Sequence, residues 1–541
     1  MKILNVVYNK PAFLSYHYEC LKKYLNLSEP LEYYVIDNSV DNTITDKFRA
    51  LASYLNVNYV RVPQNIHTAQ DPSTRAGKSL DYGLQYLYNN FHCREVVMVC
   101  DSDLFLTDYY DPLRALGNND LVGKSPINAY AYQQPEILHE IQKRAYYTNQ
   151  FLIINFKKIN ANNISFLPCV LDGVTLDCGG RLNLFFKQNP EIRHAAVSDN
   201  CSITPHTIHT VPNHLRDFFA NDITLKGAAL AELVADVFVH MRQGSNWDNR
   251  NPDIIFNRER NVFKLLCGRL IEWNIPVNDP QNKHVISFSL YGDSPKYTYN
   301  AIINAMIADV VYPGWICRIH HDRTVPRNIL SVLRSFKNVE LVERTAVRNN
   351  NSRRLWRFYD ASDPTVAVMI SRDCDSWLSF REAFSVKKWI LSDKGVHILR
   401  DHCYHSQKIM AGMFGIKRGA FTWMGQMCDA YTVSGDYDQG FLASEVYPKI
   451  LDNTMVHMGV QYDIRHNHLP KGHFPDGGIQ LESYPKVVEY IPGFDIERVN
   501  AENGFQCIHC GNTHQFFVGE MFNVLNRDIC IVLSKLFPGI V

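Results

Sequence analysis

The residues best placed to do chemistry are two acidic pairs, each at the end of an apolar run. Val96-Val97-Met98-Val99-Cys100 leads into Asp101-Ser102-Asp103, and an apolar run over 366–371 leads through Arg372 into Asp373-Cys374-Asp375. Runs of this length bounded by polar residues read as buried strands. Where such a strand ends, the chain can turn so that two carboxylates spaced by one residue reach a single hard cation. Mg²⁺ and Mn²⁺ prefer oxygen ligands of this kind. Such an ion takes one or two carboxylates, fills its remaining positions with substrate phosphates, and stabilises a departing diphosphate as a Lewis acid. A lone Asp-x-Asp is a weak signal, because acidic residues cap helices and turns throughout proteins. Two of them at the same architectural point are much harder to assign to capping.

The elements that must hold these pairs follow a repeating scheme. Strands are expected at 3–7, 33–36, 58–62 and 95–100, with helices at 16–25 and 79–88. Strand–helix alternation argues for an open, mostly parallel sheet, in which ligands sit beyond the carboxyl ends of the strands. Asp37 and Asp101 both stand at such ends. The polar, proline-bearing stretch Ile275-Pro276-Val277-Asn278-Asp279-Pro280 reads as a linker near 274–284. After it the scheme recurs, with strands at 284–290, 315–319, 339–342 and 366–371 and a helix at 299–308. The repeat is one of architecture, since the halves do not align residue by residue. The expected organisation is therefore two α/β domains, 1–273 and 284–541.

Composition agrees with two globular domains. The chain has 541 residues, 46% of them hydrophobic and 20% charged, which suits two cores of about 250 residues rather than one. Lys+Arg and Asp+Glu number 55 each, so the overall basic footprint of a nucleic-acid-binding protein is absent. No apolar run approaches the roughly 20 residues needed to span a bilayer, and the first residues read as a strand rather than a signal peptide. The fourteen cysteines are scattered without framework spacing and are expected to be reduced thiols.

The first half resembles a glycosyltransferase of the GT-A type, near the large inverting family 2. The resemblance is carried by Val6-Val7-Tyr8-Asn9 after the first strand, Val35-Ile36-Asp37-Asn38-Ser39 after the second, and Asp101-Ser102-Asp103. It implies that Asn9, Asp37 and Asp101 contact a nucleotide sugar, and that Asp103 is the chief ligand of a Mn²⁺ or Mg²⁺ ion shared with Asp101. Ser73-Thr74-Arg75-Ala76-Gly77-Lys78 lies where the family has a donor loop, and Arg75 and Lys78 would suit a diphosphate. The second half resembles a further, less familiar GT-A domain. There Trp356-Arg357-Phe358, Asp373-Cys374-Asp375, the glycine-bearing 409–415 segment and Asp438-Gln439-Gly440 carry the likeness. It implies donor contacts from Arg357 and Asp373, metal ligands Asp373 and Asp375, and catalytic candidates Asp438 and Gln439, which resemble the Asp-Gln pair of retaining enzymes.

Further ligands and bases follow from position. GT-A enzymes often add a late histidine to the metal, and Phe238-Val239-His240 delivers one from an apolar strand; the same pattern equally describes a core histidine before a plain turn. Met455-Val456-His457 is a shorter version. A base for an acceptor hydroxyl must be a carboxylate facing away from the leaving group. Asp172 and Asp177, after the strand Phe151–Asn155, are the candidates, with Asp177 preferred because a helix follows at 182–187; an acidic turn is the plain alternative. His402 and His405 read as a hydrogen-bonded turn or an acceptor contact. Cys507, Cys510 and His514 offer three of the four ligands of a structural zinc site, against a thiol-bearing hairpin.

The resulting expectation is a bifunctional, metal-dependent glycosyltransferase with two GT-A (Rossmann-like, mostly parallel) domains. It would use nucleotide-sugar donors and a glycan acceptor, without nucleic acid and without a transmembrane segment. Polysaccharide biosynthesis in the cytoplasm of a bacterium, or of a host cell if virus-encoded, is the setting that analogy suggests. The alternatives are one active domain beside a degenerate or acceptor-binding one, a metal-dependent nucleotidyltransferase, and a non-catalytic carbohydrate-binding protein. Asn9-Lys10-Pro11-Ala12-Phe13 lacks the glycine-rich loop of a nucleotidyltransferase, and two metal-chelating pairs are superfluous in a scaffold.

Overall fold

A computed structural model describes residues 1–458 apart from 68–70, 128–137, 198–200, 205–206, 221–230, 242–251, 274, 276–278, 346–349, 402–406 and 432–436, and beyond 458 describes 480–483, 533 and 536–537. It forms two compact units, Met1–Glu259 and Arg260–Val541. Each contains one large, mostly parallel sheet. Among the described residues no helix is long and apolar enough to cross a membrane.

The first unit opens with β1 (Lys2–Val7), β2 (Glu32–Asp37), β3 (Asn58–Arg61) and β4 (Val96–Asp101), followed at once by β5 (Leu104–Leu106). Then come β6 (Leu121–Gly123), β7 (Phe151–Asn155), the hairpin of β8 (Cys169–Leu171) and β9 (Val174–Leu176), β10 (His194–Ala196), β11 (Cys201–Ile203), β12 (Ala231–Val234) and β13 (Phe238–Met241). Seven of these form a sheet in the order β10-β6-β7-β4-β1-β2-β3, in which β7 alone runs antiparallel to its neighbours. Parallel neighbours need crossover connections, and helices supply them. The four strands β11-β12-β13-β5 make a second, antiparallel sheet.

The strands lie where the apolar runs place them, but two helices begin earlier than the periodicity indicates. Helix Pro11–Tyr24 starts five residues before the expected 16–25, and Pro72–Asn90 starts seven before 79–88. Both open on proline, whose missing N–H costs nothing at a first turn that has no partner for it. Asp71 caps the second helix by accepting from Thr74 N at 2.7 Å. Arg75 and Lys78, read from sequence as part of a loop, therefore ride on the first two turns of a helix.

The second unit has β14 (Lys283–Leu290), β15 (Ile316–His321), β16 (Val339–Glu343), β17 (Val366–Ser371), β18 (Val396–Arg400), β19 (Phe414–Lys417), β20 (Thr454–Met458) and β21 (Gln480–Ser483). They form one sheet in the order β16-β15-β14-β17-β19-β18-β20-β21, with β19 the antiparallel member. Counted within its own unit, each large sheet runs 3-2-1-4-6-5-7 with strand 6 reversed, and the second adds an eighth strand. The architectural repeat read from the sequence is thus a repeat of topology.

Beneath the carboxyl ends of the second sheet lies a buried ion pair. Arg372 Nε donates to Glu382 Oε1 at 2.7 Å, and Tyr312 Oη donates to the same oxygen at 2.8 Å. Arg372 also donates to the carbonyls of Ser371 and Phe414. Glu382 sits in the first turn of helix Phe380–Leu391, where Ser379 accepts from its backbone N–H at 3.2 Å. One carboxylate so ties a strand end, a helix start and Tyr312 together. Removing one partner from a buried pair strands the other charge, so Glu382→Ala is expected to destabilise the second unit by about 3–5 kcal/mol. Urea unfolding followed by tryptophan fluorescence measures this; a cost near zero would show that the pair is dispensable.

Candidate active sites

In the first unit the site grows from a change of sheet. Asp101 is the last residue of β4 and Leu104 the first of β5, so the chain leaves one sheet and enters another with only Ser102 and Asp103 between. β5 pairs with β13 so that Leu104 faces His240, and Met241 N donates to Asp103 O at 2.8 Å. That pairing carries His240 to the acidic pair. Its Nε2 lies 3.3 Å from Asp103 Oδ1, and the ligand atoms of Asp101, Asp103 and His240 all fall within 4.8 Å of one another.

Behind the histidine stands a supporting layer. His240 Nδ1 is 2.9 Å from Oε2 of Glu232, its cross-strand partner on β12. Glu232 also takes Lys124 Nζ at 2.9 Å, and Lys124 donates to Gln150 Oε1 at 2.5 Å. A carboxylate on the far ring nitrogen is how metal-bound histidines are oriented and their tautomer set. Burial, and after it the neighbouring Asp103, pushes the Asp101 carboxyl up to about 7. Burial pulls His240 down, but Asp103 and Glu232 outweigh it and raise the imidazole to about 9. With a neutral imidazole the set carries three carboxylates against one lysine. Two carboxylate oxygens, one imidazole nitrogen and a net formal charge of minus two fit a divalent ion.

Other expected donor contacts gather on the same edge. The register sets Asp37 beside Val7 and Asp101 beside Val6, flanking the end of β1. Asp37 is buried and fully engaged: it accepts from Ser39 N at 2.8 Å and Tyr59 Oη at 2.8 Å, and pairs with Arg61 at 3.2 Å. Asn9 takes a left-handed turn (φ 57°), and its N–H donates to Ser39 Oγ at 3.4 Å. Arg75 stacks over Tyr8 with 4.8 Å to the ring centre, and Lys78 follows one turn along the helix, half-buried.

The two candidate bases have different surroundings. Asp172 is at the tip of the β8–β9 hairpin, four-fifths exposed, with Arg144 at 3.3 Å. Asp177 is exposed just before helix Leu182–Gln188 and accepts from Cys178 N at 2.7 Å. Burial, then the carboxylates of Asp177, Asp81 and Asp101, push the Cys178 thiol up. Gly179 lets the backbone at Tyr147 come close: its φ is +94°, and a Cβ there would stand 1.9 Å from Tyr147 O.

The second unit gathers its candidates differently. Arg357 is buried, donates to Arg372 O at 3.0 Å, pairs with Asp373, and reaches Asp438 Oδ2 at 3.1 Å. Burial opposes its charge, but Asp373 and Asp438 prevail and raise its pKa. Asp373 fills the space a side chain at Gly412 would need, since a Cβ there would meet its Oδ2 at 1.9 Å. Gln439 brackets the same turn, donating to Ile409 O at 2.9 Å and accepting from Ala411 N at 3.2 Å. Asp375 is held by Lys296 at 3.0 Å. His457 is elsewhere in its contacts: its Nδ1 lies 2.7 Å from His397 Nε2, and His397 stacks on Trp389. No second-unit residue belongs to a three-ligand group like that of the first unit, among the described residues. His402, His405, Cys507, Cys510 and His514 lie outside the described residues.

Sequence reading missed the residues that hold these pairs. On helix Pro295–Val311, Lys296 takes Asp375, Asn300 Oδ1 accepts from Trp377 Nε1 at 2.7 Å, and Asn304 bridges the carbonyls of Cys374 and Ser376 and the N–H of Leu378. The signal was present: Lys296, Asn300 and Asn304 at i, i+4 and i+8 on a largely apolar helix mark one shared face. Glu232 and Lys124 left no comparable mark. Asp322, one residue past β15, was also missed; it is buried and pairs with Arg353 at 2.8 Å.

No protein-family model matches the sequence, and no curated protein does. Solved structures similar to it include the galactosyltransferase LgtC in complex with donor and acceptor sugar analogues (TM-score 0.23, 16% identity, covering 36% of this chain and 67% of that one). Another is the apo-form glycosyltransferase GlyE of Streptococcus pneumoniae TIGR4 (0.27, 15%, 64% and 81%). A third is the mannosyltransferase PcManGT of Pyrobaculum calidifontis in complex with GDP-Man and Mn²⁺ (0.24, 11%, 40% and 60%), of which this chain spans less than two thirds. TM-scores this low leave the functional reading to the chain's own residues.

Asp81 gives a pH test of the scaffold beside Asp177. It accepts from Phe166 N at 2.7 Å and Ser165 Oγ at 2.8 Å, and Phe166 O in turn accepts from Gly179 N at 2.6 Å. Burial raises its carboxyl to about 6 despite those bonds. A raised carboxylate binds its proton more tightly folded than unfolded, so its contribution falls as pH climbs from about 4 to about 6 and is level above. Asp81→Asn should therefore gain stability over the wild type across that window, by about 3 kcal/mol at most. Paired urea titrations at pH 4.5 and 7.5 test this; a difference that does not change with pH would contradict it.

Proposed function

We propose that the chain is a glycosyltransferase with a nucleotide-sugar site in each unit, transferring sugars to a glycan acceptor, and that domains 1–273 and 284–541 each carry one site. The observation that carries this reading is the meeting of Asp101, Asp103 and His240 at the carboxyl edge of a mostly parallel sheet. Mn²⁺ or Mg²⁺ held there would neutralise the charge that builds on a diphosphate leaving group. Asn9, Asp37, Arg75 and Lys78 are proposed to bind the nucleotide and diphosphate. Asp37, locked by three partners, is a fixed acceptor for a ribose or base. Asp177 is the carboxylate proposed to take the proton of the acceptor hydroxyl as its oxygen displaces the nucleoside diphosphate from the sugar; Asp172 is the lesser candidate.

In the second unit Arg357, Asp373 and Asp375 are the proposed donor contacts, and Asp438 and Gln439 the catalytic candidates. Asp322 joins them by position: β14 and β15 pair Leu290 with His321, so Asp322 stands one residue beyond the place Asp37 holds beside Val7. The ion pairs of Asp373 and Asp375 favour a second reading, in which only the first unit is catalytic and the second binds acceptor.

Hydrolysis of a panel of nucleotide sugars with Mn²⁺ or Mg²⁺ decides between them. Asp103→Ala is expected to cost about 10²–10³ in turnover of one donor class, the scale of losing one transition-state charge contact. Asp375→Ala should do the same for another. A silent Asp375→Ala across all donors would leave the second unit non-catalytic, and no consumption of any donor would defeat the reading.

A further inference from the structure

The two acidic pairs sit at the same topological point, the end of strand 4, yet their charge surroundings differ. In the first unit Asp101, Asp103 and Glu232 face one lysine, Lys124, and the titratable His240. In the second unit Asp373, Asp375 and Asp438 face three permanent cations. Arg357 holds Asp373 and Asp438, Lys296 holds Asp375 at 3.0 Å, and Arg354 lies 3.9 Å from Asp438. Among the described residues, three negative groups therefore meet three positive ones, which removes the excess negative charge that a divalent ion would balance.

Geometry points the same way. Asp375 is 5% exposed and its carboxylate is spent on Lys296; Asp373, 44% exposed, lies against Gly412 and is bound through Oδ1 to a buried guanidinium. His457, the histidine expected to complete a ligand set, bonds His397 instead. Bringing an ion to this pair would mean expelling Lys296 and Arg357 and leaving Arg357, which is 4% exposed, short of its partners. Stranding a buried charge in this way is costly. The second-unit residues do not fit a divalent metal.

We infer that, of the two acidic pairs, only that of the first unit holds a divalent ion, and that in the second unit Lys296 and Arg357 stand where a metal would otherwise neutralise the Asp-x-Asp pair. This rests on the metal reading of the first unit. Lys296 is the key residue, because its ammonium reaches a nearly buried carboxylate from a side chain that is itself one-third exposed. The second unit would then handle an anionic ligand with fixed protein cations, whose charge does not depend on metal supply.

Mn²⁺ titration of the full chain, counted by the loss of the free-ion EPR signal, tests this without knowledge of donor or acceptor. The expected count is one tight ion per chain, lost in Asp103→Ala and kept in Asp375→Ala. Lys296→Met, close in length but uncharged, should uncover a second, weaker ion, and adding Asp375→Ala to it should remove that ion again. Two tight ions in the wild type, one of them lost in Asp375→Ala, would overturn the inference. So would a Lys296→Met chain that still binds one ion. If the wild type binds none, the first-unit metal reading fails and the contrast goes with it; loss of nucleotide-sugar hydrolysis with the ion count intact would instead defeat only the proposed function.

Discussion

Two carboxylates set side by side at a largely buried strand end are expensive, and the first unit is arranged around that expense. Asp103 is 4% exposed, and its charge, added to burial, disfavours the ionisation of Asp101. The remedy is a layered network: His240 against Asp103, Glu232 against His240, Lys124 against Glu232, and Gln150 against Lys124. Each layer comes from a different strand or strand end, so the two sheets of this unit must meet where they do. The switch from β4 to β5 across Ser102 and Asp103 is what makes the network possible, because it puts one aspartate at the end of β4 and the other just before β5.

The second unit solves the same problem by another route. Its strands follow the same order, and its acidic pair follows the same strand, but a lysine and an arginine neutralise the carboxylates directly. Helix Pro295–Val311 supplies this through one shared polar face, with Lys296, Asn300 and Asn304 clamping the loop from Cys374 to Leu378. A fixed topology therefore sets where an acidic pair stands, while the elements packed beyond the strand end set what charge it meets. Fold and chemistry are separable in this chain, as expected when function resides in sites placed on a common scaffold.

Much of the fold was legible because buried parallel strands are continuous apolar runs. Val96–Asp101 and Val366–Ser371 announce themselves by composition, as does the repeat of the scheme after the proline-bearing stretch. Helix starts were less legible: the apolar period begins several residues after Pro11 and Pro72, yet proline is well accommodated in a first helical turn. The positions of Asp37 and of the acidic pairs at or just beyond strand ends were also readable, since a polar residue closing an apolar run carries its own signal, whereas the sequence left His240 open between a ligand and a core histidine. Glu232 and Lys124 were not readable, because a single charge inside or just past a short strand looks like any surface residue until its partner is known.

The sequence by itself determined the two-unit organisation, the strand ends, and which side chains stand there, because hydrophobic period and polar punctuation are local properties of the chain. Whether two aspartates meet a histidine or a pair of cations was decided only by tertiary structure. That outcome depends on which strand pairs with β5 and which helix face overlies Cys374, contacts between residues 70 to 140 positions apart. Charge compensation is a sum over such neighbours, and no local pattern contains it.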